Sequence, residues 1–111
     1  MKRFDLYGSC SLSVSEVASA IEERGVATFV AHDSGYKGGP YFRHKADGEY
    51  ITVQTNSVDS EGYRLEPDFE DRPTLVYVRG SKRWSELEKS FQAIGLERLR
   101  TKEVTERRPG S

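Results

Sequence analysis

Two segments of the chain space their apolar residues as amphipathic helices do. In the first segment, apolar side chains recur at intervals of three and four residues and form one stripe: Val14, Val17, Ala18 and Ile21. Ser13 precedes this stripe, and Glu16 follows Ser13 by three residues, which is the pattern of a capping box at a helix start. Gly25 predicts the end of this helix, because glycine accepts the left-handed conformation that terminates many helices.

The second helical segment follows Ser81, whose hydroxyl we expect to cap the first turn. Its apolar stripe has the same spacing: Trp84, Leu87, Phe91 and Ile94. Gly95 predicts its end. A stripe of this kind is typical of a helix packed on a core rather than of a cofactor site.

Outside the two helices the pattern is that of β-strands. Residues in these segments either alternate between polar and apolar or belong to the β-branched and aromatic types that strands favour. Five segments qualify: residues 3–8, 26–32, 41–45, 50–55 and 74–78. The last is a nearly continuous run of β-formers, which predicts a central strand buried on both faces.

These elements together predict an α+β fold. Asp47 and Gly48 are typical of a tight hairpin turn, and the first β-α-β unit favours a right-handed parallel crossover. We expect a mixed, mostly antiparallel sheet of about five strands with two helices, in the order β-α-β-β-β-β-α-(β), where residues 96–104 supply the optional last strand. Residues 1–104 are expected to form a single domain and residues 105–111 a disordered tail.

Charge and composition narrow the function classes. The 111 residues carry 17 Lys and Arg against 18 Asp and Glu, and this balance argues against a general nucleic-acid binder. Residues 41–45 weakly resemble a sheet that interleaves aromatic with basic residues, but the remaining strands show no basic excess, so we predict no nucleic-acid partner. No apolar run approaches the roughly 20 residues of a membrane span. With one cysteine and no signal peptide, the sequence predicts a cytoplasmic protein.

Catalytic and metal sites have weak candidates. Cys10 could act as a nucleophile with His32 or His44 as base, but nothing in the spacing fixes the geometry that such a pair needs. The two histidines are 12 residues apart without a cluster of further ligands, unlike structural zinc sites. We therefore predict no catalytic residue, no metal and no cofactor, and a cysteine-dependent enzyme remains the third interpretation.

A glycine-rich segment, residues 34–40, lies between two predicted strands. A phosphate-binding loop would need a helix after it, so the context disfavours a nucleotide site. Tyr36 and Lys37 at its tip, with Tyr41 just after it, are candidates for partner contacts, because tyrosine is enriched at the energetic centres of interfaces. The alternative function is a small ligand-binding or regulatory domain that closes this segment over its ligand.

The segment 56–73 is acidic, with six carboxylates against two arginines. One interpretation is a solvated, solubilising loop. The other is a recognition surface for a basic partner, such as a nucleic-acid-cleaving enzyme, in which carboxylates steer the partner and apolar residues anchor it. The candidate contact residues are Asp59, Glu61, Tyr63, Glu66, Asp68, Phe69, Glu70 and Asp71.

Several stretches together resemble small bacterial immunity proteins of polymorphic-toxin and contact-dependent inhibition systems. The run from His32 to Phe42 is similar to a Ser-x-Tyr-x-Gly-Gly-x-Tyr-Phe loop and strand in such proteins, and Ile51–Asn56 is similar to the polar strand that follows. Glu66–Phe69 and Leu75–Val78 resemble the segment and strand that come next. The loop residues that match this pattern are Ser34, Tyr36, Lys37, Gly38, Gly39, Tyr41 and Phe42.

This resemblance implies a cytoplasmic, non-enzymatic protein encoded beside a toxin. Such a protein would bind the C-terminal catalytic domain of its cognate toxin and block it stoichiometrically. We therefore expect a protein partner, a toxin domain, with no nucleic acid and no membrane. Exposed edges of the predicted sheet leave both a monomer and a dimer open.

Overall fold

One antiparallel sheet organises the chain. The computed structural model describes residues 2–34 and 39–104, so the predicted tail at 105–111 lies outside the described residues. The elements, in chain order, are β1 (Lys2–Ser9), α1 (Val14–Glu23), β2 (Val30–Ser34), β3 (Gly39–Ala46), β4 (Glu49–Thr55), β5 (Thr74–Arg79), α2 (Trp84–Ala93) and β6 (Glu97–Val104). A short 3-10 turn, Pro67–Phe69, lies between β4 and β5.

The strand order is β2-β3-β4-β5-β1-β6, and every neighbouring pair is antiparallel. The predicted α+β class and order of elements are confirmed, with six strands rather than about five because residues 97–104 pair along β1. The predicted parallel crossover is wrong. After α1 the chain crosses to the far edge of the sheet, where β2 pairs with β3, because β5 and β6 occupy both places beside β1.

The start of α1 confirms the predicted capping box. The Ser13 hydroxyl accepts a hydrogen bond from the Glu16 backbone N–H at 3.2 Å, and the Glu16 carboxylate accepts one from the Ser13 N–H at 3.0 Å. The start of α2 is different: it begins at Trp84, and Ser81 is not its cap. The Ser81 hydroxyl accepts from the Arg83 N–H at 3.0 Å, one residue before the helix, and donates to Glu49, 2.8 Å away. Neither helix is long and apolar enough to cross a membrane.

Both helices pack on one face of the sheet, where the predicted stripes supply the core. Leu87 and Phe91 of α2 are completely buried, and the Phe91 ring meets the Tyr7 ring edge-on with centroids 4.9 Å apart. From α1 and the two central strands the buried side chains are Val17, Ile21, Ile51, Val53, Val76 and Val78. The opposite face of the sheet carries no α-helix among the described residues. Leu6, Leu75 and Gln54 are nevertheless buried on it, whereas its end at Phe4 and Arg79 is exposed.

A buried carboxylate, Glu49, joins three parts of the chain. It accepts two hydrogen bonds from Arg83, at 2.7 and 3.0 Å, in addition to the one from Ser81. The His44 Nε2 atom lies 3.2 Å from Glu49 Oε1, which also accepts one of the Arg83 bonds, and Arg83 donates to the Val26 carbonyl at 2.6 Å. Glu49 therefore fastens the β3–β4 hairpin to the segment before α2 and to the segment after α1.

The surroundings of Glu49 favour its ionised form. Burial raises the pKa of this carboxyl, but hydrogen bonds from Arg83 and Ser81 outweigh burial and leave the pKa below its ordinary value of 4.5. A carboxyl with a lowered folded-state pKa stabilises the fold above its unfolded pKa. That stabilisation disappears as the pH falls through the folded-state pKa.

We predict that the free energy of unfolding falls as the pH is lowered below about 4.5, and that Glu49→Gln flattens this dependence. At pH 7 the variant should be less stable by about 2 kcal/mol, because Arg83 loses its charged partner. Urea unfolding between pH 7 and pH 3 measures both effects. Glu88→Gln, which affects the more exposed ion pair with Arg98, is the control and should cost under about 1 kcal/mol. An unchanged pH profile in Glu49→Gln would refute the assignment.

Candidate functional site

Residues 56–73, here called the acidic loop, are held in a defined conformation by hydrogen bonds within the loop. Val58 pairs with Arg64 as an isolated antiparallel bridge, and the Leu65 N–H donates to the Ser57 carbonyl at 2.9 Å. At the tip, the Asp59 carboxylate accepts hydrogen bonds from the backbone N–H groups of residues 61 and 63, each 2.9 Å away. The first half of the acidic loop is therefore a small hairpin closed by an Asx-type turn.

Asn56 holds the acidic loop against the end of the sheet. Its side-chain amide donates to the carbonyls of Glu66 and Phe69, at 3.1 and 2.9 Å, and its side-chain oxygen accepts from the Glu66 N–H at 2.9 Å. Its carbonyl accepts from the Arg64 guanidinium at 3.0 Å. Asn56 is only 2% exposed, so these bonds form out of water. From the sequence alone, Asn56 is recognisable only as the end of a polar strand.

Glu66, a predicted partner contact, is bound within the protein. Its carboxylate accepts from the Tyr77 hydroxyl at 2.9 Å and from the Arg100 guanidinium at 2.9 and 3.1 Å. Burial raises the pKa of Glu66, yet hydrogen bonds from Arg100 and Tyr77 outweigh burial and keep the pKa below its ordinary value. Glu66 thus fastens the acidic loop to β5 and β6.

Two further predicted contacts have partial structural roles. Asp71 pairs with Arg72 at 2.6 Å, and Arg72 also pairs with Glu97. Phe69 is half-buried, and its carbonyl is one of the two that Asn56 binds. These residues stiffen the second half of the acidic loop rather than only facing solvent.

The remaining residues of the acidic loop present a mixed apolar and acidic surface. Tyr63 is 70% exposed, and Val58 and Leu65 are also exposed. Glu61, next to the tip, and Asp68 and Glu70, around the 3-10 turn, are exposed carboxylates. The acidic loop thus presents exposed apolar side chains and exposed carboxylates from a backbone that its own hydrogen bonds hold in place.

The predicted contacts outside the acidic loop lie elsewhere or are not described. Tyr36 and Lys37 lie outside the described residues. Tyr41 is on β3, where its ring stacks on His32 of β2 with centroids 5.0 Å apart. It therefore lies toward the β2 edge of the sheet, two strands away from β5.

The candidate nucleophile and bases are also separated. Cys10 is exposed and follows the end of β1. His44 is on β3, three strands away from β1, and binds the Thr28 carbonyl and Glu49. Three strand spacings amount to about 14 Å, far beyond a hydrogen bond.

The part of the chain that the structure describes contains no group of three His, Cys, Asp or Glu side chains that could bind a metal ion.

Comparisons with models of protein families, with characterised proteins and with solved structures give no match to this chain. What the acidic loop offers chemically is recognition: a fixed surface of carboxylates and apolar side chains.

We predict that Asn56→Ala loosens the acidic loop and lowers the free energy of unfolding by about 2–3 kcal/mol, because two carbonyls and one N–H lose their buried partner. Urea unfolding measures the stability, and limited proteolysis shows whether residues 57–71 become cleavable. Gln92→Ala, which removes an exposed amide contact to Glu88, is the matched control and should change little. A variant as stable and as resistant as the wild type would show that Asn56 does not hold the loop.

Proposed function

We propose that the protein is a non-enzymatic inhibitor that binds a basic protein partner, the expected partner being the catalytic domain of a cognate bacterial toxin, in the manner of an immunity protein. The observation that supports this proposal is the acidic loop, which is fastened by Asn56 and Glu66 yet leaves Tyr63 70% exposed beside free carboxylates. The proposal places the protein in the cytoplasm, where it would meet such a toxin.

A pre-formed loop suits tight binding. A segment that is already ordered loses little conformational entropy when it binds, so more of its contact energy appears as affinity. Carboxylates raise the rate of encounter with a basic surface, and an exposed tyrosine provides a large rigid anchor. An inhibitor complex of ordinary size buries about 1,600 Å² in total, so the loop would form the centre of an interface completed by neighbouring residues.

The solubilising interpretation explains this loop less well. A loop that only keeps a protein soluble needs charge, whereas this one places Val58, Tyr63 and Leu65 in water. The ligand-binding alternative depends on residues 34–40, of which residues 35–38 lie outside the described part of the chain.

The test is growth rescue combined with binding kinetics. The C-terminal domain encoded by the adjacent upstream gene is expressed in a bacterial host with and without this protein. We expect growth to stop with that domain alone and to recover on co-expression, and the two proteins to co-purify. Replacing Glu61, Asp68 and Glu70 by Lys should slow association about ten-fold at low salt and weaken rescue. The fold should persist, because these three side chains form no ion pair with another described residue.

The matched control replaces three exposed helical carboxylates by Lys, namely Glu22, Glu23 and Glu86, and so changes the net charge by the same amount. It should bind and rescue as the wild type does. Equal loss in both triple variants would make the effect one of net charge and not of the acidic loop. A domain that is harmless, or that kills despite co-expression, would reject the inhibitor proposal.

A further inference from the structure

The sheet face opposite the helices carries, at its exposed end, a row of alternating cationic and aromatic residues. The register places Lys45 opposite Tyr50, Tyr50 opposite Arg79, Arg79 opposite Phe4, and Phe4 opposite Lys102. The row runs across β3, β4, β5, β1 and β6, and five strands span about 19 Å. The Arg79 guanidinium lies 4.1 Å and the Lys45 ammonium 5.5 Å from the centre of the Tyr50 ring. We call these five residues the cation-aromatic row.

A cavity of about 390 Å³ opens at the same end of the sheet. Its lining includes Phe4, Tyr50 and Arg79 of the row, together with Lys2, Lys82 and Trp84. The described residues that line this cavity include no carboxylate. Arg3 lies at its margin, where it pairs with Asp5 and stacks on Trp84 at 4.7 Å.

Three of the cations here have no acidic partner among the described residues. In the described part of the chain, Arg79, Lys82 and Lys102 form no ion pair. Phe4 is 37% exposed, so one of the two aromatic rings in the row is open to a ligand. A ladder of cross-strand cation–π pairs would account for Tyr50, Arg79 and Lys45 as simple sheet stabilisation. It does not account for the exposed Phe4 or for the cation-lined cavity beside it.

From this arrangement we infer that the exposed end of this sheet face binds single-stranded nucleic acid. The charge balance of the whole chain predicts no such partner, because it averages over the acidic and basic ends of the sheet. Proteins that bind single strands combine aromatic side chains, on which bases stack, with cations that follow the phosphate backbone. Both components are present in the cation-aromatic row, which is about 19 Å long. The exposed Phe4 ring would stack on a base, and Arg79, Lys82 and Lys102 would contact phosphates.

This inference is independent of the proposed inhibitor function, because the two surfaces lie at opposite ends of the sheet. Tyr50 and Arg79 form the register pair at one end of the β4–β5 ladder, and Thr55 and Thr74, beside the acidic loop, form the pair at the other. Five residues of strand separate these two pairs by about 17 Å. Glu66 alone reaches back along this face, to Tyr77 and Arg100, and it is held there by both. Loss of one binding activity would therefore leave the other measurable.

The experiment measures binding of a fluorescein-labelled dT12 oligonucleotide to the full chain by anisotropy. Trp84 is the single tryptophan and lines the cavity, so quenching of its fluorescence reports the same event. We expect a dissociation constant below about 100 µM at low salt. The logarithm of affinity should fall with the logarithm of salt concentration with a slope of about −2, for three phosphate contacts.

Substitutions separate charge from stacking. Arg79→Glu with Lys82→Glu should weaken binding at least ten-fold, whereas Arg24→Glu with Lys89→Glu, an equal charge change on the exposed helices, should change it less than two-fold. Phe4→Ala should weaken binding about five-fold or more, since it removes a stacking platform. Thermal unfolding checks that each variant folds. If the double variant does not fold, the single variant Lys82→Glu replaces it in the binding measurement.

Four results would overturn the inference: no binding of dT12 at low salt, an equal loss in the two double variants, no effect of Phe4→Ala, or equally tight binding of polyglutamate. The last would identify the face as a site for acidic protein segments. Inorganic polyphosphate of matched charge should bind more weakly than dT12, because it offers no base to stack on Phe4.

Discussion

Both candidate surfaces depend on the register in which β5 pairs with β4 on one side and with β1 on the other. In an antiparallel sheet a shift of one residue would exchange the two faces and move every side chain to the wrong side. Contacts at both ends of β5 fix this register. At one end Asn56 and Glu66 tie the acidic loop to the sheet, and at the other Gly80 passes so close to the β3–β4 turn that a Cβ atom would overlap the Gly48 carbonyl.

This register places acidic and basic residues at different ends of the sheet, although the net charge of the chain is close to zero. The chain is nearly neutral, yet the carboxylates of the acidic loop lie at one end of the sheet and the cations of the cation-aromatic row lie at the other. A separation of this kind produces a field that orients an approaching charged partner even when the net charge is close to zero. A basic protein would be drawn to the acidic loop and repelled from the row, and a polyanion would experience the reverse.

Local signals in the sequence predicted local structure well. The Ser13 and Glu16 capping box, the Asp47–Gly48 turn and the apolar stripe of α2 each depend on residues a few positions apart, and all are present in the fold. Other features depend on residues that only the pairing of distant strands brings together. These are the position of β2 in the sheet, the hydrogen bonds of Asn56 and the cation-aromatic row. Glu66 shows the limit most clearly: its charge predicted a partner contact, but Arg100, 34 residues later, binds it.

Two oppositely charged surfaces at opposite ends of one sheet are expected to bind different partners. Amide chemical shifts of the nitrogen-15-labelled protein test this expectation, with dT12 added to one sample and a ten-residue polylysine to another. We expect dT12 to shift amides in residues 2–4, 48–50 and 79–84, and polylysine to shift amides in residues 57–71. Shifts of the same amides by both additions, or no shift at either surface, would contradict it.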